Sequence, residues 1–303
     1  MAIGDVSKLF FLACLTLSCL NPAASAQTVP ATGDPNVAVG PQYDSTHVYV
    51  APADVDRFVK SFLATFGGTT TKQVVTTVTP TPSSTTSQLL TTPVGMVSVF
   101  GFRTPVPAPF GAERTGYLVT DLDVAVRLAR ASGADLMVAP FADPIGRDAV
   151  IQWPGGVWMQ LYWHTKAPSY PPLQHVPENR VYVSADRIDA FMQGFLRFSH
   201  GKVVSDDASR PGMEIGRSGG TYRRVRIESL FGKLTAIVTD GHLNYPYGRE
   251  TTGYEVDDLD GTLARGKDAG LLMLVAPYTS ANRRSAMVQF PGGYIAEIHT
   301  DSR

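Results

Sequence analysis

Apolar residues recur three and four positions apart in two stretches of this chain. Asp54 to Phe66 sets Val55, Phe58, Val59, Phe62 and Leu63 on one stripe, and Arg187 to Phe198 does the same with Ile188, Phe191, Phe195 and Leu196. That period predicts helices turning one face to a core. Asp121 to Ala131 and Asp258 to Lys267 predict two more, each opened by carboxylates where free backbone N–H groups and the helix dipole favour negative charge. Between them, strand-like runs cover Lys72 to Val78, Val97 to Phe100, Val150 to Gln152 and Trp158 to Trp163. A second set covers Tyr222 to Ile227, Leu234 to Thr239, Ala286 to Gln289 and Tyr294 to His299. A Pro-Gly-Gly segment parts the last two strands of each set and predicts a tight hairpin turn.

The two sets are copies. Thr115-Gly-Tyr-Leu-Val-Thr-Asp-Leu-Asp123 matches Thr252-Gly-Tyr-Glu-Val-Asp-Asp-Leu-Asp260, and Val138-Ala-Pro140 matches Val275-Ala-Pro277. Gln152-Trp-Pro-Gly-Gly156 matches Gln289-Phe-Pro-Gly-Gly293, and His47-Val-Tyr-Val50 matches Arg180-Val-Tyr-Val183. Four matches in one order make a tandem duplication, each half reading as strand, helix, three strands, twice. Residues 166–179, with Pro168, Pro171, Pro172 and Pro177, sustain neither helix nor central strand and are read as the linker between domains at 45–165 and 180–303.

Lys8, the apolar run Leu9 to Leu20 and the small-x-small Ala24-Ser25-Ala26 predict a secretory signal over 1–26, hence a periplasmic or secreted protein, with a flexible arm over 27–44. The run is shorter than the ~20 residues of a membrane span. Cys14 and Cys19, the chain's 2 cysteines, both fall inside it, which excludes disulfide, thiolate-metal and thiol-nucleophile chemistry after cleavage. A net charge of -1 fits no polyanion partner, so no nucleic acid is expected. The expected partner is a small molecule, with the protein a two-domain monomer or a homodimer and no membrane association after cleavage.

The paired βαβββ modules, the Val256-Asp-Asp-Leu-Asp260 entry to a helix and the Phe290-Pro-Gly-Gly-Tyr-Ile-Ala-Glu-Ile298 hairpin resemble the vicinal oxygen chelate superfamily, which includes glyoxalase I, bleomycin-resistance proteins and extradiol dioxygenases. The resemblance covers nearly the whole chain after residue 44. It implies an α+β fold of two tandem glyoxalase-like domains, each of paired βαβββ modules with cupped mixed sheets. It also implies a divalent metal (Zn, Ni, Fe or Mn) held by first and last strands of modules. By position, the first half then offers His47, a residue near Ser98, Arg114 and Gln160, and the second Arg180, a residue near Ile237, Thr251 and Glu297. Neither half alone holds the usual histidines and carboxylates, and arginine repels a cation.

In some four-module relatives the first module pairs with the fourth and the second with the third. That exchange would unite His47 and Glu297 with Thr251 as a metal or acid/base site, and Arg114, Gln160 and Arg180 as an anion pocket. Tyr49, Trp158 and Tyr162 share strand faces with His47 and Gln160 by the period of two and would line the same cup. The paired aspartates at the helix starts are expected to cap, and Arg147 and Arg284 to have structural roles. Two functions stay open: a metal-assisted lyase, isomerase or oxygenase using His47 and Glu297, or a metal-free binding protein of bleomycin-resistance type.

Overall fold

The computed structural model describes residues 35–301. The first half contains β1 (Ser45–Tyr49), α1 (Val55–Phe66), β2 (Thr69–Thr70), β3 (Val74–Thr76), β4 (Thr85–Thr92), β5 (Gly95–Phe102), β6 (Thr115–Leu118), α2 (Leu122–Ala131), β7 (Asp135–Ala142), β8 (Gly146–Trp153) and β9 (Val157–His164). The second contains β10 (Glu178–Val183), α3 (Ile188–Ser199), β11 (Lys202–Pro211), β12 (Thr221–Ser229), β13 (Gly232–Val238), β14 (Thr251–Glu255), α4 (Leu259–Asp268), β15 (Leu272–Ser280), β16 (Arg283–Gln289) and β17 (Ile295–Asp301).

Each half makes one mixed sheet. The first runs β2-β4-β5-β1-β6-β9-β8-β7, with β3 also on β4, and the second runs β11-β12-β13-β10-β14-β17-β16-β15. In both, the two modules meet through antiparallel first strands, β1 with β6 and β10 with β14. Each first strand also lies parallel to the last strand of its own module. Both glycines of each Pro-Gly-Gly turn, Gly155, Gly156, Gly292 and Gly293, have positive φ, which the tight reversal requires.

The helices cover the backs of the sheets and cross between halves. α1 packs on α4 and α2 on α3. One core joins Phe58 and Phe62 of α1 and Leu259 of α4 with Val99 and Ile298 from the two sheets; the other joins Ala125 of α2 and Phe191 and Phe195 of α3 with Trp153 and Leu234. The exchange of modules is therefore present in the apolar helix layer and absent from the sheets. Each cup is built from one half only, which corrects the expectation that His47 and Glu297 share a site.

Asp121 and Asp258 cap their helices through Val124 N–H and Gly261 N–H. Asp123 and Asp260 instead hold Arg147 and Arg284 in matching two-point ion pairs on β8 and β16. Of the expected arm, residues up to 34 and the whole signal segment lie outside the described residues. From Val37 onward the expectation fails: Val37 is buried against α2's core, Ala38 bridges Val119, and Asp44 accepts a hydrogen bond from Leu118 N–H. No helix among the described residues is long and apolar enough to cross a membrane.

Candidate functional site

The strand registers make the two cups comparable position by position. Ser45 lies opposite Gly116 and Gly116 beside Gln160 in the first sheet; Glu178 lies opposite Gly253 and Gly253 beside Glu297 in the second. His47 thus corresponds to Arg180, Gln160 to Glu297, and Tyr162 to His299. At the floor of each cup a glycine makes room. A Cβ on Gly116 would stand 2.5 Å from His47 Nε2, and one on Gly253 3.1 Å from Glu297 Oε2.

In the second cup these positions carry opposite charges, and they close it. Arg180 Nη1 lies 2.7 Å from Glu297 Oε2, with the two residues 5% and 2% exposed. Arg283 reaches Glu178 at 3.0 Å and Glu297 at 3.7 Å, and His299 Nδ1 stands 3.6 Å from Glu297. A second knot surrounds Glu214, which binds Arg210, Arg224, Tyr222 and Ser280. Burial opposes ionisation of Glu297 and Glu178, but the surrounding arginines outweigh it and hold both carboxyls below their usual range. Burial also pushes His299 down, toward the neutral imidazole. Only about 10 Å³ remains free, the space of roughly one water.

The first cup is open. Its cavity of about 160 Å³ takes on the order of ten non-hydrogen atoms at the same scale. His47, Tyr49, Gln160 and Tyr162 all line it, as the strand periodicity predicts. With them stand residues that sequence reasoning passed over: Phe100 and Met96 on β5, Asp148 on β8, and Asp143 and His164. Ser98, only loosely indicated by position, is the register partner of His47 and also faces the cavity.

His47 is 2% exposed and its Nδ1 has no hydrogen-bond partner; the nearest acid, Glu113, is 3.9 Å away. Glu113 is fully buried, accepts a hydrogen bond from Tyr49 O–H and leaves Oε2 unpartnered. Burial, reinforced by Asp143 and Glu113, pushes the Asp148 carboxyl well up. His164 is pushed down by burial against a weaker pull from Asp143.

The expected anion pocket is not assembled. Gln160 is in the first cup and Arg180 in the second, while Arg114 sits over the Tyr49 ring at 5.6 Å, outside the cavity lining. Trp158, although on the same strand face as Gln160, is also outside that lining. Trp158 and Arg114 meet instead around Glu250, whose carboxyl accepts a hydrogen bond from the Trp158 backbone N–H and feels Arg114. Burial dominates there and pushes Glu250 up to about 8. Thr251 stands beside Arg180 on β14, in the second sheet.

A resident divalent metal, which the fold implies, does not fit these donors. In the second cup the acids are already neutralised by Arg180 and Arg283, and a guanidinium at 2.7 Å from Glu297 occupies the cation's place. In the first, the acid nearest His47 is Glu113, at 3.9 Å and engaged by the Tyr49 hydroxyl, and Gln160 offers a neutral amide. Among the described residues no group of three or more His, Cys, Asp or Glu is arranged to hold a metal.

No family model matches the sequence, and no curated protein does. Solved structures do match. A mutant 4-hydroxymandelate synthase from Streptomyces coelicolor superposes with TM-score 0.57 at 13% identity, over 88% of this chain and 92% of that one. A Mn(II)-bound glyoxalase from Novosphingobium aromaticivorans superposes with TM-score 0.51 at 12% identity, over 86% and 81%. The 2,3-dioxygenase LapB from a Pseudomonas species gives TM-score 0.50 at 11% identity, over 88% and 94%. With its two curled mixed sheets, each of paired βαβββ modules, this chain has the vicinal oxygen chelate fold, built as two tandem glyoxalase-like domains.

Proposed function

We propose that this protein is an exported, metal-independent small-molecule binding protein whose ligand site is the first cup. The observation that carries this reading is the contrast between the cups: equivalent positions are filled by ion pairs in the second and left open, around a buried imidazole, in the first. Concave pockets with mainly apolar and aromatic walls and a few polar groups are the usual form of such sites. Phe100, Met96, Tyr49 and Tyr162 supply the walls here, and His47, Gln160, Ser98 and Asp148 the polar contacts. The signal-like segment over 1–26 supports export. A metal-assisted lyase or oxygenase needs a donor set that neither cup provides.

The test is a fragment screen by NMR on the chelator-treated protein, repeated on Ser98→Phe and Ser285→Phe. Ser98 lines the open cavity and Ser285 the closed one. Fragments are expected to shift resonances of the first cup in the metal-free protein and to lose binding in Ser98→Phe. Folded Ser98→Phe protein that binds as before, or binding that appears only on adding Mn(II) or Zn(II), would overturn the reading.

A further inference from the structure

We propose that the first cup selects an organic cation, a protonated amine carried on a small aromatic or aliphatic body; this rests on reading that cup as the ligand site. Its cavity is lined by two carboxylates, Asp143 and Asp148, and by no arginine or lysine. Asp148 is 5% exposed, and the charges acting on it, Asp143 and Glu113, are both negative. His164 does not supply the missing charge, because burial favours its neutral form. Burial and like charges favour the neutral acid of Asp148, so its carboxylate forms when a cation reaches it.

The second cup shows how this same scaffold meets that need internally. There Arg180 stands at the His47 position, and Arg283, the first residue of β16, reaches in to Glu178 and Glu297. The first residue of β8 is Gly146, where a Cβ would run into the carbonyl of Trp163, so no side chain can enter from that position. The first cup therefore has acids of its own, at other positions, without the internal cations. Arg114 lies over Tyr49 outside the cavity lining and acts on Glu250.

The remaining features fit the same ligand. Phe100, Phe110, Tyr162 and Tyr170 give aromatic surface against which an ammonium group is favourable. The unpartnered, buried Nδ1 of His47 gives a further polar contact at the floor. An anion entering here would meet Asp148 and Asp143 with nothing to offset them, and so is selected against.

Phenethylamine, 2-phenylethanol and phenylacetate have one shape and three charges. Titrated at neutral pH and followed by NMR, phenethylamine is expected to bind about tenfold more tightly than 2-phenylethanol, and phenylacetate most weakly. Asp148→Asn should remove the preference for the amine over the alcohol. Asp143→Asn, a half-exposed position, should reduce the preference and serves if Asp148→Asn does not fold. Equal or tighter binding of the alcohol or the acid in the first cup overturns the cation selectivity and leaves the binding reading standing. Absence of any shift in first-cup residues with all three probes at millimolar concentration overturns both.

Discussion

Replacing Arg180 with methionine removes one guanidinium from the closed cup and keeps the length of the side chain. Glu297 then loses its 2.7 Å partner while remaining 2% exposed, and Glu178 loses a contact at 3.8 Å. Breaking one side of a buried pair costs about 3–5 kcal/mol, mostly because the surviving charge is left uncompensated. Arg283 still stands 3.7 Å from Glu297 and 3.0 Å from Glu178, which places the expected loss near the lower end, about 3 kcal/mol. For a chain of this size that corresponds to a fall in Tm of roughly 6–12 °C.

The pH dependence has a definite sign. In the parent protein Glu297 is held below its ordinary value, so its stabilising contribution is present above the usual carboxylate range and fades as pH falls. In Arg180→Met burial acts with less opposition and raises that carboxyl, so the penalty is full at neutral pH and shrinks as pH falls toward the ordinary value. Thermal unfolding of the parent, Arg180→Met, Glu297→Gln and the double variant at pH 7.5 and pH 5 measures this. The double variant should recover most of the loss, since neither charge is then stranded. A single-variant cost below about 1 kcal/mol, the level of an exposed pair, or a double variant no more stable than Arg180→Met, would refute the account of the second cup.

Gly116→Ala should cost about 1–3 kcal/mol and displace the His47 ring, because its Cβ would lie 2.5 Å from Nε2 and 3.1 Å from Tyr162; Gly253→Ala, with its nearest contact at 3.1 Å, should be milder, and urea unfolding compares the two. Glu250→Gln should become progressively more stable than the parent as pH rises from the ordinary carboxylate range through about 8, since a carboxyl raised by burial is penalised on ionising. Tm measured in matched buffers that shows no divergence of the two proteins over that window removes this assignment. Tyr49→Phe deletes the hydroxyl that serves buried Glu113, and should cost about 1–3 kcal/mol in denaturant unfolding, with no loss if the carboxyl is satisfied without it.

Local signals determined the element order. Helical stripes such as Phe58 and Phe62, the carboxylates Asp121 and Asp258, and the two Pro-Gly-Gly turns act over a few residues, so they can be read without knowing what lies across the fold. The repeat then carried the reading from elements to two tandem domains. Strands without apolar alternation escaped: β4, Thr85–Thr92, is half threonine, and β11, Lys202–Pro211, is a mostly exposed edge strand. The same period of two that put Tyr49, Gln160 and Tyr162 on the face of His47 also included Trp158, because it reports the face of a strand and not where a cavity ends.

What joins to what was decided by tertiary structure. A duplicated sequence presents equivalent apolar stripes on all its helices, and nothing in it says that α1 meets α4 while the sheets stay within their halves. That arrangement separates His47 from Glu297. The closing of one cup depends likewise on charges from β10, β16 and β17, far apart in the chain, converging within 4 Å. In sequence Arg180 and Arg283 look like ordinary strand-end surface charges. Only the fold buries them against Glu178 and Glu297, and only the missing counterparts in the first half leave its cup open, because charge pairing and cavity volume are properties of long-range packing rather than of local pattern.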